Sequence, residues 1–547
     1  MPTERVRLSL REIQYKYDSG EDRTLLENLI RAFRGIQKLE PNYNLPPEKD
    51  LSFFRIGGFH GEPFEGPGRY DPDWWGGYCH HSDVLFPAWH RAYLYHLENA
   101  LRTVPGCEKV TLPFWDECWD ALFDKTGMPI PSILTTPTFD LDDETHNPLY
   151  SYKLQQALVE NVVDANQRYS KHKDYETVRY PLSGLVGTKE DQDHTEIHNA
   201  KFRDLPARTE ILNNNVRAWL EGEVKIDKSH DDPKTRYPDT YSVLSRFKSC
   251  LEAPTYTLFS NNTSMKAYQE KHGQNPDDMV SLESPHNAIH LAVGGFYQNE
   301  VYNADPIVGA NGDMGDNETA GFDPIFFFHH CFIDYVFWLW QEKHNCKTQG
   351  SLKIDPTDPG AKSIEGSVGT APGTPLNNES PLVPFRNPND PNGSWQTLDS
   401  ITDIEKQLGY SYGTGSLEVL VKGRPEFAVP QPANFVALKA TNPIDRSKYA
   451  GSFVIRTYAS TPKRGKVEIG REPVLSRWNI QGCRNCLGRL TTRGITPISK
   501  ELEQALLEGE DHGTKVEYHA HVEHRVFTKD QKAPFLQVGH KIDVIDL

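Results

Sequence analysis

The stretch Phe322-Asp323-Pro324-Ile325-Phe326-Phe327-Phe328-His329-His330-Cys331-Phe332-Ile333-Asp334 sets two imidazoles inside an aromatic run. The pattern predicts a helix over residues 324–343, so apolar on its first turns that it must be buried on most sides. A polar ring in that setting costs free energy unless it finds a partner. A core histidine satisfied by hydrogen bonds is one account of His329 and His330. Metal ligation is the stronger one.

Working outward, Glu283-Ser284-Pro285-His286-Asn287-Ala288-Ile289-His290 places two histidines four residues apart on one face of a helix expected over 282–293. Two imidazoles so spaced can grip one metal, although alone the pair reads as readily as two polar residues on a helix surface. A third cluster comprises Phe59-His60-Gly61, Cys79-His80-His81 and Trp89-His90-Arg91. Each histidine is a weak signal singly, but together the clusters supply two sets of three imidazoles. Neutral nitrogen donors bind copper well and leave positions open for a small ligand. Zinc could occupy such a site but brings no redox chemistry, and a zinc hydrolase would be expected to add a carboxylate or a water-activating group.

Two more helices are expected. Leu25, Leu26, Leu29, Ile30, Phe33 and Ile36 mark one over 23–38; Phe86, Trp89, Tyr93, Leu97 and Leu101 mark another over 84–104, closed by Pro105-Gly106. Four such helices suggest a mainly α, four-helix-bundle core. Residues 347–400 turn to Pro, Gly, Asn, Asp and Ser, the texture of a long surface excursion. Beyond Tyr410-Ser411-Tyr412-Gly413-Thr414-Gly415, strand-like stretches appear at 435–438, 451–457, 466–469 and 535–538. The expected organisation is a helical domain over 1–414 and a smaller β-rich, β-sandwich-like domain over 415–547.

At 547 residues the chain exceeds one ordinary core. Its net charge of −17 argues against nucleic acid or an anionic membrane as partner, since both select clustered Lys and Arg. The opening Met-Pro-Thr-Glu-Arg-Val-Arg-Leu lacks an apolar signal core, which leads to an expected cytoplasmic, intracellular address. Eight cysteines are too few for a disulfide scaffold, and Cys107, Cys118, Cys250 and Cys346 read as packed thiols.

In order and spacing, the patterns Phe59-His60-Gly61, Cys79-His80-His81, Trp89-His90-Arg91, His286-Asn287-Ala288-Ile289-His290 and Asp323 through His330 resemble the tyrosinase, catechol oxidase and molluscan hemocyanin family of type 3 copper proteins. Within it the chain looks most like the filamentous-fungal tyrosinases, over most of its length. The resemblance implies two copper ions, one on His60, His81 and His90 and one on His286, His290 and His330, with His329 turned elsewhere. It also implies a thioether between Cys79 and His81, against which stands a free packed thiol. Glu283 and Asn287 would hold a water that takes the phenol proton. Their bland readings are a first-turn carboxylate favoured by the helix dipole and a solvated helix residue.

The implied activity is oxidation of small tyrosine- or catechol-like phenols by O2 to o-quinones, as in melanin formation. A catechol oxidase without monophenol activity and a hemocyanin-like O2 carrier are the alternatives. In the fungal members a C-terminal domain covers the copper site of a latent proenzyme until proteolysis, so Val474 and Leu475 are the expected plugs, with an ordinary core strand as the plain alternative. Tyr410-Ser411-Tyr412 resembles the family's end-of-core motif and sets the cleavage zone just after it. An activating protease is then a partner, and a homo-oligomer is compatible with all of this. Cys483 and Cys486 are too few to close a zinc site but suit Cu(I), so copper loading stands beside a local disulfide or two idle thiols. His519 and His521 share a strand face and are assigned to solvent, not to metal.

Overall fold

The computed structural model describes residues 5–545 apart from 62–76, 125–126, 160–169, 223–241, 273–278, 296–310, 364–370, 372, 391, 423–434, 441–442, 450, 478–488 and 526–534. Four helices carry the core: α1 (Thr24–Lys38), α2 (Phe86–Leu101), α3 (Glu283–Gly294) and α4 (Ile325–Lys343). In α1 the buried residues Leu26, Leu29, Ile30, Phe33 and Ile36 recur at three- and four-residue steps, the stripe of a helix with one wet face. No such face exists on α4, which is buried continuously from Ile325 through Gln341 and runs through the centre. α2 packs along α4, α1 against α2, and α3 also meets α4. Phe33 of α1 stacks on Phe328 of α4 with ring centroids 5.6 Å apart. The start of α4 is capped by Asp323, whose carboxylate accepts from Ile325 N–H at 3.2 Å and is gripped by the Arg179 guanidinium.

A buried ionic cluster locks α2 to α4. Arg91 donates to Asp334 at 2.6 Å, and the same carboxylate accepts from the hydroxyls of Tyr410 and Tyr412 at 2.7 and 2.6 Å. Arg7 bonds Glu98 of α2 at 2.8 Å, and its guanidinium lies 3.7 Å over the Tyr410 ring. The short strand Tyr410–Tyr412 pairs in parallel with Arg5–Arg7, tying the end of the helical part to its beginning. The tyrosine motif is therefore a clamp on the central helix.

Residues 347–400 hold only short helical pieces, Pro359–Ala361 and Leu398–Ile401, among the described residues. Residues 415–421 stay on the helical part: Ser416 N–H donates to Asp116 at 2.7 Å, and Glu418–Val421 packs on α4. Beyond them lies one six-stranded antiparallel sheet in the order Ile495–Ser499, Phe435–Ala440, Phe535–Ile545, Glu517–Arg525, Phe453–Thr461, Gly465–Val474. The sheet curls, because Thr457 and Thr496, from well-separated strands, share a hydroxyl hydrogen bond of 2.7 Å. Its last strand in that order, Gly465–Val474, lies on α3. Thus the molecule is a helical core with a smaller β part seated on the helix that bears His286 and His290. No helix among the described residues is long and apolar enough to cross a membrane.

Candidate metal centre

Because α3 places His286 and His290 one turn apart, both rings face α4, which brings His330 to them. Their Nε2 atoms form a triangle with sides of 3.1, 3.3 and 3.3 Å. A neutral imidazole carries one donor and one acceptor, so three such atoms cannot satisfy one another. A point about 1.9 Å from each would, close to the roughly 2.0 Å of a metal–imidazole bond. The other nitrogens set the tautomers: His290 Nδ1 donates to the Met314 carbonyl and His286 Nδ1 to Asn287 Oδ1, each at 2.9 Å.

A second triangle stands beside the first. His60 follows the short helix Phe53–Gly58, His81 lies on a loop and His90 on the first turns of α2. Their ring centroids are 5.1, 5.4 and 5.6 Å apart. All three Nε2 atoms are buried without a hydrogen-bond partner, while His60 Nδ1 donates to the Asn317 carbonyl at 3.2 Å and His90 Nδ1 to that of Phe86 at 2.7 Å. The triangles adjoin, His90 stacking on His330 at 4.4 Å. The structure therefore brings all six expected histidines together.

Burial first, and then the neighbouring imidazoles, hold His60, His81, His286 and His330 well below the usual histidine range. Burial likewise takes His90 down to about 3 and His290 to about 4. All six are neutral at physiological pH, with lone pairs free for a cation. Six neutral nitrogens fit two copper ions, and no carboxylate is in these groups. His329 is buried in the same cluster, but its Nδ1 is held by Glu117 at 2.5 Å. Glu117 lies 212 residues away in the chain and was not foreseen from the sequence; a buried carboxylate in Trp115-Asp116-Glu117 was its only signal.

Close packing fixes His60. A Cβ on Gly61 would come within 1.7 Å of the Asn317 carbonyl oxygen, the acceptor for His60, so only glycine lets that backbone approach. Cys79 Sγ lies 3.3 Å from His81 Nδ1, and burial pushes its thiol up to about 11. Arg477, from the β part, donates to the Gly61 carbonyl at 2.6 Å and reaches Cys79 Sγ at 3.7 Å. Nothing in its sequence neighbourhood marked that role. None of the six described cysteines forms a disulfide; Cys483 and Cys486 lie outside the described residues.

A cleft of about 380 Å³ opens beside the histidines, between α3 and the β part, lined by His81, Glu283 and Asn287 on one side and Val474, Leu475 and Arg446 on the other. Its size suits a small molecule. Glu283 accepts from the backbone N–H groups of Ser82 and Asn262, each at 2.9 Å. Burial nevertheless pushes its carboxyl above the usual range, against those amides and Arg446. Asn287 orients His286, so it is no solvated helix residue. His519, with its side chain 51% exposed, belongs to no such cluster.

The central domain common to tyrosinases matches residues 50–343. The chain belongs to the tyrosinase family. A tyrosinase from a Hahella species is 42% identical over 545 residues, 96% of this chain and 93% of its own. The tyrosinase of Aspergillus oryzae, a filamentous fungus, is 39% identical over 505 residues, 86% of each chain. Among solved structures, the tyrosinase of Burkholderia thailandensis at low pH superposes with a TM-score of 0.72 at 40% identity, covering 94% of this chain and all of its own. A pro-tyrosinase structure from Aspergillus oryzae shares the fold over 99% of this chain, with a TM-score of 0.62 at 16% identity. The protein is accordingly a copper oxidoreductase of the tyrosinase kind, its cofactor is a pair of copper ions, and phenols are the substrates of its family.

Proposed function

We propose that this tyrosinase family member oxidises both monophenols and o-diphenols to o-quinones, and that residues 415–547 keep it latent over a catalytic part spanning 1–414. Per monophenol, one O2 is consumed and one water released; two catechols use one O2 and release two waters. The copper pair supplies O2 binding and the redox electrons. Everything else falls to the chain.

The monophenol half rests on one observation: Glu283 lines the same cleft as His81 and Asn287. A phenol with pKa near 10 stays protonated at neutral pH, so a positioned base is worth roughly 10²-fold or more. The Glu283 carboxylate is held by two backbone amides and keeps lone pairs for a water, through which it takes the phenolic proton. Asn287 helps hold that water while its Oδ1 orients His286. Val474 and Leu475 narrow the cleft from the covering side, which supports latency released by cleavage just after the tyrosine motif. The approach of Cys79 Sγ to the His81 ring supports the thioether.

The test is O2 uptake by the copper-loaded chain with a monophenol and, separately, with its catechol, before and after limited proteolysis near Gly415. Both substrates are expected to yield quinone, more of it after cleavage. Glu283→Gln lowers monophenol turnover about 10²-fold and catechol turnover much less; an equal loss on both would remove Glu283 as the base.

A further inference from the structure

Arg477 is buried in the seam between the β part and the first histidine triangle, with no ion pair to any described carboxylate. One nitrogen of its fork donates to the Gly61 carbonyl at 2.6 Å and the other reaches Cys79 Sγ at 3.7 Å. Copper binding does not explain the placement, because a fixed cation beside a metal site repels the metal. Seating the β part does not explain it either. A buried charge without a counter-ion is costly, and the seam has a better tie in Glu472, which takes Arg246 and Lys266, each at 3.0 Å. What remains is the sulfur. Cys79 Sγ lies 3.3 Å from His81 Nδ1. A thiol can occupy three staggered positions, and two contacts hold this one beside the ring: the Asn317 side chain from the catalytic part and Arg477 from the β part. Of the two ring carbons bonded to Nδ1, Cγ already carries Cβ, so Cε1 is the one with a hydrogen to lose.

We propose that Arg477 is a positioning residue for the thioether: it holds Cys79 Sγ against His81 while the bridge forms, so the β part prepares the site that it covers. The proposal rests on the thioether reading of Cys79 and His81 and gives that bridge a helper. In the step, the S–H bond of Cys79 and the Cε1–H bond of His81 break and a C–S bond forms. The two electrons and two protons released reduce one O2 to hydrogen peroxide, redox chemistry that the copper pair supplies when bound. Because the bridge is covalent, it outlasts the contact that made it. Arg477 acts before residues 415–547 are lifted away, and activation leaves the bridge in place. Reaction rates depend steeply on holding the reacting atoms in contact, so loss of one of the two restraints costs about tenfold or more.

The experiment loads the copper-free full chain with copper in air. Mass spectrometry follows the loss of two hydrogens from the peptide carrying Cys79 and His81, each rate taken per copper-loaded chain. The unaltered chain is expected to close the bridge fully. Arg477→Gln slows closure about tenfold or more, with no loss of copper content. Arg477→Lys, which keeps the charge but has one ammonium for two acceptors, restores part of the rate. Arg246→Gln cuts a tie to Glu472 elsewhere in the seam and leaves the rate as it was. Closure in both Arg477 variants as fast as in the unaltered chain would overturn the proposal. So would an equal slowing by Arg246→Gln, which would reduce Arg477 to a seat for the β part. An unaltered chain that binds copper and oxidises a phenol yet keeps its thiol would remove the thioether, this proposal with it, and leave the proposed phenol oxidation standing.

Discussion

Four of the six metal-facing histidines, His60, His90, His286 and His290, join a hydrogen-bonded Nδ1 to an Nε2 left for the metal, whereas Nδ1 of His330 is buried without a partner. That division makes the centre sensitive to residues that never touch a metal. Gly61→Ala would drive a Cβ into the Asn317 carbonyl that accepts from His60. Changes at such supporting positions weaken metal affinity about 10- to 100-fold, so copper content after dialysis against a weak chelator should fall toward half; full retention would show that His60 does not depend on that carbonyl. Acid has a related effect. Burial keeps the imidazoles of both triangles below their ordinary value, so the unfolded copper-free chain takes up protons that the folded one refuses. Stability is then lost as pH falls through about 6.5, the unfolded histidine value. A melting temperature of the copper-free chain that stays flat from about pH 7.5 to 5 would contradict the arrangement. The histidines themselves were legible in the sequence because polar rings inside aromatic runs demand a partner. Glu117, Asn317 and Arg477 were not, since each finds its partner more than 200 residues away.

At the level of elements, the helices that bear His90 and His330 are held in register by Arg91 and Asp334. Burial alone would raise the Asp334 carboxyl; Arg91 and Arg7 hold it below the usual range. Removing one partner of a buried pair costs about 3 to 5 kcal/mol. Asp334→Asn should therefore lower the unfolding free energy, read from denaturant titration, by that order at neutral pH. The Asp334 contribution is present above about pH 4 and fades as pH drops through its lower folded value, so the two proteins should converge in strong acid; a constant gap would assign the loss to packing. Of the four core helices, α1 and α2 showed in the sequence through three- and four-residue apolar steps, α3 through its paired histidines and α4 as a run apolar on nearly every side. Leu205–Glu221 did not, because Asn213 and Asn215 sit on its buried side, Asn213 Oδ1 accepting from the Ile130 amide and Asn215 Nδ2 donating to the Ala292 carbonyl. Polar residues hydrogen-bonded in the interior break the very period that reveals a helix.

Across the whole molecule, a helical core assembles the histidines and a curled sheet closes over one side of them. All the sheet strands but Ile495–Ser499 were legible as short strand-like stretches, but their order was not, because the sheet joins segments as far apart as Phe435–Ala440 and Phe535–Ile545. The seat of that sheet on α3, and hence the cleft between them, follows from tertiary packing alone. Copper binds only the folded form of two triangles drawn from distant segments, so loading should raise the melting temperature and chelation reverse it. The central claim, that six histidines hold two coppers for phenol oxidation, is tested most directly by copper content measured alongside O2 uptake. The account predicts about two coppers per chain, with His286→Ala reducing this to about one and abolishing uptake. A single copper in the unaltered chain, or uptake undiminished in the variant, would contradict it.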